Sequence, residues 1–263
     1  MFLKYNLKNE SILFFLHLAY ALAALDIKIK YRRSYLGAFW ISISTGILII
    51  TLSLIFSFAL KSSPENYLVY LTVGLITWKY IEMTLKDYSY CMIENQQLIK
   101  QVSIPKIVYV VRIAIRNIII FLHNFIILLL VVLIYKNPTF LNFLHFFLAF
   151  VVLTLNLGWM GLVLAVICSR YRDISEFLFN ILQIIFYLTP IIWTVDIFNE
   201  VENFKFIINF NFFYYLIEIV RLPLLGNFNL FYFIFMSLIL IPGYIFSFFI
   251  YNRYKNKIVF WVQ

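Results

Sequence analysis

Charge is what this chain has least of. Only 13% of its 263 residues are Asp, Glu, Lys or Arg, while 64% are apolar. A soluble domain of this length carries about 25% charged residues, so a water-soluble globule is excluded and an integral membrane protein is expected. Cysteine is nearly absent: Cys91 and Cys168 stand alone, without a CxxC or a Cys/His cluster. His17, His123 and His145 are isolated as well, so no metal site is expected. No G-x-x-x-x-G-K-[ST] phosphate loop is present, nor a G-x-S-x-G or H-E-x-x-H. The twelve carboxylates are scattered. Asp87 and Glu94 fall in an expected loop, and "DIS" at 173–175 is a poor substitute for the acidic pair that holds a divalent ion and a sugar phosphate. The chain is expected to be no enzyme and to hold no cofactor.

What is present is apolar length. Six stretches approach the roughly 20 residues that a span needs: 36–60, 67–85, 107–135, 139–168, 176–195 and 228–251. The last carries Pro242-Gly243, which should kink it. The net charge of +9 invites a nucleic-acid reading, but its distribution favours a membrane. With the N-terminus inside, the inner segments 1–35, 86–106, 169–175 and 252–263 hold fourteen Lys and Arg; the outer segments 61–66, 136–138 and 196–227 hold four. Both termini are therefore expected in the cytoplasm.

Two segments resist the simple pattern. Lys4 and Lys8 precede "ILFFLHLAYALAAL", with Ala21-Leu22-Ala23, which has the look of a signal peptide. Cleavage there would strand the following basic cluster on the wrong side. The reading adopted is an interfacial helix along the cytoplasmic face, leading into Lys28–Arg33. Segment 196–227 is mostly apolar but broken by Glu218, Arg221 and Pro223. It should start and end outside, as a re-entrant helical hairpin, with Glu218 and Arg221 paired three residues apart. The whole is one domain: interfacial helix 1–35, five spans over 36–195, gate region 196–227, span six over 228–251 and tail 252–263.

Charges within spans mark function by default. Lys79 and Glu82, at i and i+3, are expected to pair. Arg112 and Arg116 either snorkel toward headgroups or form, with Lys79, the positive charge at the inner mouth of a pathway that attracts phosphate. The aromatics leave two readings open. Phe186, Tyr187, Pro190 and Trp193 in "IIFYLTPIIW", with Phe212, Phe213, Tyr214 and Tyr215 in "FNFFYYLIE", are either interfacial belts and packing or a stacking track for sugar rings.

Taken in order, several stretches resemble one family. "KYRRSYLGAFW" (30–40) is similar to the stretch before the first span in membrane subunits of ABC-type polysaccharide exporters, the ABC type-2 family. "ENQQLIKQVSIPK" (94–106) resembles their first cytoplasmic loop. "RYRDI" with "LTPIIW", then "NFNFFYYLIEIVRLPLLG", resemble the fifth span and the segment after it, and "RYKNKIVFWVQ" resembles their basic-aromatic ending. One departure is Phe212, where the family often has Pro after Asn211. Within the family the resemblance is closest to lipopolysaccharide O-antigen exporters; capsule and teichoic-acid exporters are near relatives.

The resemblance implies a permease in the bacterial inner membrane that moves a lipid-linked polysaccharide. It implies a homodimer working with two copies of a cytosolic ATPase, which would bind ATP and Mg. A short helix in 86–100 would couple to that ATPase through Glu94, Asn95, Leu98, Ile99 and Lys100, with Arg32, Arg33, Arg170 and Arg172 nearby. Tyr31, Leu36, Gly37 and Trp40 would form the span-one motif, Gly37 allowing close helix approach. The hairpin at 198–226 would be the outer gate. A small-molecule exporter, a membrane enzyme of glycan assembly and a purely structural subunit remain the competing readings.

Overall fold

The computed structural model describes residues 12–32, 39–59, 64–102, 104–195, 206 and 208–262. Arg33, Leu36 and Gly37, and the first part of the expected outer hairpin, lie outside the described residues. Among the described residues there is no strand, and the fold is all-α.

Helix α1 (Ile12–Lys30) packs on α5 (Ile107–Tyr135) through Ala19 and Ala23, the residues it buries completely. Helix α2 (Phe39–Ala59) buries a stripe of Ser42, Thr45, Ser53 and Ser57 and exposes Ile43, Ile47, Ile50 and Leu54. This inverts the amphipathic helix of a soluble protein, as expected where the outer solvent is hydrocarbon and small residues let helices approach.

Helix α3 (Pro64–Glu94) is the centre of the bundle and packs against α2, α5, α6 (Phe140–Arg170) and α7 (Asp173–Leu188). Its 31 residues span about 46 Å, more than the roughly 30 Å hydrocarbon layer. The helix runs on to Glu94, well past the expected end at residue 85, so Asp87 and Glu94 lie within it and not in a loop. The short α4 (Gln96–Gln101) follows after one residue, Asn95.

The fifth expected span, 176–195, stops at Leu188. Thr189 is extended (ψ 133°), as the residue before a proline must be, and Thr189–Trp193 forms an irregular link. The chain resumes in α8 (Phe212–Leu224), where Asn211 caps the helix by accepting from the backbone N–H groups of Phe213 (3.0 Å) and Tyr214 (3.3 Å). Proline is favoured at the first helical position, but the Asn cap works without it, so Phe212 costs the turn nothing essential. Gly226, at φ +91°, ends the segment.

Helix α9 (Leu230–Tyr254) packs on α6 and runs on through Pro242; the expected weak point is supported by Trp159, whose indole lies against Gly243 so closely that a Cβ would sit 2.7 Å away. Helix α10 (Ile258–Trp261) folds back beneath α6 and α4. Among the described residues, four helices, α1, α5, α6 and α9, are long and apolar enough to cross a membrane. α2 has a shorter apolar run, Ser42–Phe58; α3 carries charge at mid-length, and α7 has 16 residues.

Two cores result. The larger fills the middle of the bundle around α3, with Leu71, Ile76, Phe121, Phe146, Leu157 and Leu216 among its fully or nearly fully buried members. The smaller lies at the end where α3, α4, α5, α6 and α10 converge, around Tyr88, Met92, Ile99, Tyr109, Val166 and Ile258. At that end, Gly161 receives the ring of Tyr88, which a Cβ would overlap.

Candidate functional site

Near the start of α3, one fully buried cation organises the link after α7. Arg221 of α8 has no exposed surface. Its Nη1 donates to Glu218 Oε1 at 2.9 Å and its Nη2 to the carbonyl of Pro190 at 2.8 Å. The guanidinium lies 4.0 Å over the ring of Tyr70. Gly74 makes the room: a Cβ there would come within 2.8 Å of Nη2. Tyr70 in turn donates to the carbonyls of Pro190 (2.8 Å) and Trp193 (3.1 Å), and Tyr67 to that of Ile192 (2.6 Å). Asn211 Nδ2 donates to Thr189 Oγ1 at 2.7 Å. The carbonyls of an irregular, buried segment need partners from elsewhere in the protein, and here α3 and α8 supply them. The expected Glu218–Arg221 pair is present.

The aromatic candidates divide. Phe186 and Phe213 both pack on Trp78 of α3, with ring centroids 5.7 and 5.8 Å away. Tyr214 and Tyr215 turn to Tyr232 of α9. Trp193 donates to the Tyr187 carbonyl at 3.0 Å, whereas the Tyr187 ring is 62% exposed.

At the other end of α3, Arg112 and Arg116 neither snorkel freely nor form a bare positive collar. Arg112 Nε donates to Asp26 Oδ2 at 2.7 Å, with a second, very short contact between Arg112 Nη2 and Asp26 Oδ1, and its Nη1 donates to Asn95 Oδ1 at 2.7 Å. Arg116 reaches Asp87 at 2.9 Å and Asp26 at 3.4 Å. Asn117 also donates to Asp87, at 2.8 Å. Two cations meet two carboxylates from α1 and α3, so the cluster is locally neutral, and it joins α1, α3, α5 and the α3–α4 junction. Asn95 completes that junction by donating to the Cys91 carbonyl at 2.7 Å.

Helix α4 has two faces. Ile99 is buried in the smaller core, while Leu98 and Lys100 are exposed, as is Glu94 at the end of α3. Arg32, Arg170 and Arg172 are exposed, and Arg170 lies over the rings of Tyr171 (5.0 Å) and Trp261 (5.3 Å). Tyr31 is half-buried and Trp40 is 60% exposed.

The expected Lys79–Glu82 pair is replaced. Lys79 donates to Thr45 of α2 at 3.0 Å, and Glu82 is bound one turn on by Lys86. An i, i+4 partner lies as close on the helix face as an i+3 one, and α2 supplies Lys79 with its own acceptor. This leaves Lys79, Glu82 and Lys86 on one face of α3. Beside it, α7 presents Glu176, Asn180, Gln183 and Tyr187 at i, i+4, i+7 and i+11, all exposed. Tyr90 donates a short hydrogen bond to Glu176, which pushes its phenol up to about 12, and Lys86 sits 4.9 Å over Phe179. A cleft of about 320 Å³ lies between the two faces, with Trp78 and Phe186 in its wall, and a second of about 300 Å³ opens between α3 and α5. Sequence reading missed Lys86, Tyr90, Glu176, Asn180 and Gln183. The signal was there: four polar residues at helical spacing along an otherwise apolar segment.

The family model of the ABC-2 type transporter matches residues 17–225. The chain belongs to the ABC-2 type transporter family. Its matched range runs from within α1 to the end of α8 and so contains both charge clusters and the polar face. Curated relatives are O-antigen export system permease proteins RfbA: that of Myxococcus xanthus is 22% identical over 172 residues, 65% of this chain and 66% of its own length. One from Klebsiella pneumoniae is 23% identical over 190 residues, 71% of each chain. The chain thus spans just under two thirds of the first relative. In this ABC-2 transporter chain, α9 and α10 lie beyond the matched range.

Proposed function

We propose that this chain is the membrane subunit of an ATP-driven exporter that moves a lipid-linked polysaccharide across the bacterial inner membrane, an O-antigen in first place. Capsular or teichoic polymers are the next substrates in order. The observation that carries the reading is the polar cleft between α3, where Lys79, Glu82 and Lys86 are half-buried, and the exposed face of α7. A charged side chain turned to lipid at mid-depth costs about 2.5–3.5 kcal/mol on insertion scales. A face with Lys79, Glu82, Lys86, Asn180 and Gln183 therefore turns to water or to protein. A second copy of the chain, apposing the same face, encloses a wet path whose wall carries Tyr187 and the edge of the Trp78–Phe186 stack. Rings with polar tips suit a sugar polymer, whose C–H faces stack and whose hydroxyls need partners.

In this reading α2, α3, α5, α6, α7 and α9 are the six spans, α1 lies in the cytoplasmic interface, and both termini are cytoplasmic. α8 is the inner arm of a re-entrant outer gate, held by Arg221. ATP and Mg belong to a separate ATPase, which docks on Glu94, Leu98 and Lys100. Asn95, Arg112 and Asp26 pass the movement of α4 to α1 and α5.

The test is deletion of the gene, with polymer measured on the cell surface and inside the cell. Loss outside with lipid-linked polymer accumulating inside is the expected result. Loss in both places, with purified chain found to extend a glycan without nucleotide, would replace export by synthesis.

A further inference from the structure

At the end of the bundle occupied by the smaller core lies a cleft of about 480 Å³, between the last turn of α6, the start of α7 and the last turns of α9, closed by α10. Its floor is apolar, with Val166, Ile167 and Ile250. Its rim is basic and aromatic: Arg170, Arg253, Tyr254 and Trp261. Arg170 is held in place by the rings of Tyr171 and Trp261, and Tyr254 packs on Trp261 at 5.4 Å. Neither Arg170 nor Arg253 forms an ion pair among the described residues, and Asp173, the carboxylate nearest along the chain, pairs with neither. No Asp or Glu follows Glu218 anywhere in the sequence, while Arg253, Lys255 and Lys257 cluster around the cleft's closing turn. From the cleft an exposed apolar track continues along α9 through Phe249, Ile245 and Ile241, each more than 60% exposed.

We infer that this cleft binds an anionic phospholipid of the inner leaflet, its phosphate between Arg170 and Arg253 and its acyl chains along α9. The chemistry is specific on both counts. Two guanidiniums on one rim without a carboxylate partner favour an anion, and guanidinium forks match phosphate oxygens. The apolar floor and the track require that the anion bring a hydrocarbon chain, which inorganic phosphate does not. Arg and Trp at the level of the headgroups, at the basic end of the chain, are where such lipids meet transmembrane helices. α10 then has a definite purpose: Trp261 clamps the side chain that holds the phosphate, so a bound lipid ties the tail to α6. The inference concerns a bilayer lipid rather than cargo and needs no transport to be tested.

The experiment uses the full chain purified in a neutral detergent, with the thermal unfolding midpoint read during titration. Dioleoylphosphatidylglycerol should raise the midpoint, while dioleoylphosphatidylcholine and inorganic phosphate should not. R170Q/R253Q should weaken the phosphatidylglycerol response on the order of 30-fold, read against that variant's own midpoint in detergent alone, and R170K/R253K should retain most of the response. If the double Gln variant does not fold, R253Q alone decides, with a smaller loss expected. Equal responses to both phospholipids, a response to inorganic phosphate alone, or an undiminished response in the Gln variants would each overturn the inference. So would a response to a polyprenyl phosphate without one to phosphatidylglycerol, which would make the cleft a cargo site.

Discussion

The two ends of α3 solve the problem of charge in a membrane protein differently. At its start, one cation, Arg221, is fully buried and bound to a carboxylate on its own helix and to a carbonyl of the broken segment. At its other end, Arg112 and Arg116 are 15% and 18% exposed, and their carboxylates belong to other helices. The first arrangement is a clamp: a short, local pair that fixes Thr189–Trp193 against α3. The second is a junction, in which each ion pair crosses between elements: Arg116 pairs with carboxylates of both α1 and α3, and Arg112 links α1 to Asn95. Depth sets what each can do. A fully desolvated pair tolerates no loosening, because an uncompensated charge there is costly, whereas a partly wet junction can exchange partners with water.

The largest effect should come from breaking the clamp. Arg221→Met leaves Glu218 buried without its partner, a loss of about 3–5 kcal/mol. In a protein of this size that lowers the unfolding midpoint in detergent by about 10 °C. Glu218→Leu together with Arg221→Met should recover most of it, since the apolar pair removes the stranded charge. An unchanged midpoint in the single variant would show that the clamp does not hold the fold. Next in size is Gly74→Val, which drives a side chain into the space of the guanidinium and should cost about 1–3 kcal/mol. Combined with Arg221→Met its cost should largely vanish, because the two sites share one contact.

The junction should give the opposite profile. Arg112→Gln removes bonds to Asp26 and Asn95 at a site that water reaches, so the stability loss should be about 1–2 kcal/mol. Export, measured as surface polymer, should fall far more than that loss explains. The Asp26→Asn and Arg112→Gln changes should be non-additive by at least about 0.5 kcal/mol in a double-mutant cycle. If export simply tracks the midpoint across these variants, the junction is a structural brace and passes no movement.

How much of this was legible in the sequence depends on the range of the interaction. The ends of α5 were read to the residue because an apolar run bounded by Pro105 and Asn137 states its own limits. The Glu218–Arg221 pair was read because both partners lie within one helical turn. The Lys79–Glu82 pairing was misread for a related reason: Lys86 competes one turn on, and Thr45 arrives from another helix, which no local rule can foresee. Asp26 escaped notice altogether, since its meaning lies in Arg112, 86 positions away. The early stop of α7 was announced by Pro190, and the expected span ran through it because the hydropathy did not fall there.

The smallest effect on stability should accompany the sharpest test of the polar face. Asn180→Cys lies on the exposed side of α7, so it should change stability by less than about 0.5 kcal/mol. Cys91 and Cys168, the two native thiols, are completely buried, which keeps the background low. A water-soluble, membrane-impermeant maleimide applied to inside-out vesicles should label the introduced thiol at Asn180→Cys and at Gln183→Cys. It should leave Ile245→Cys unlabelled, because that position lies on the exposed apolar side of α9. Thiolate forms only where water is present, so the rate reads wetting directly. Labelling of Asn180→Cys and Gln183→Cys no faster than of Ile245→Cys would mean that α3 and α7 are sealed by protein, and the path for a polymer would have to be sought elsewhere.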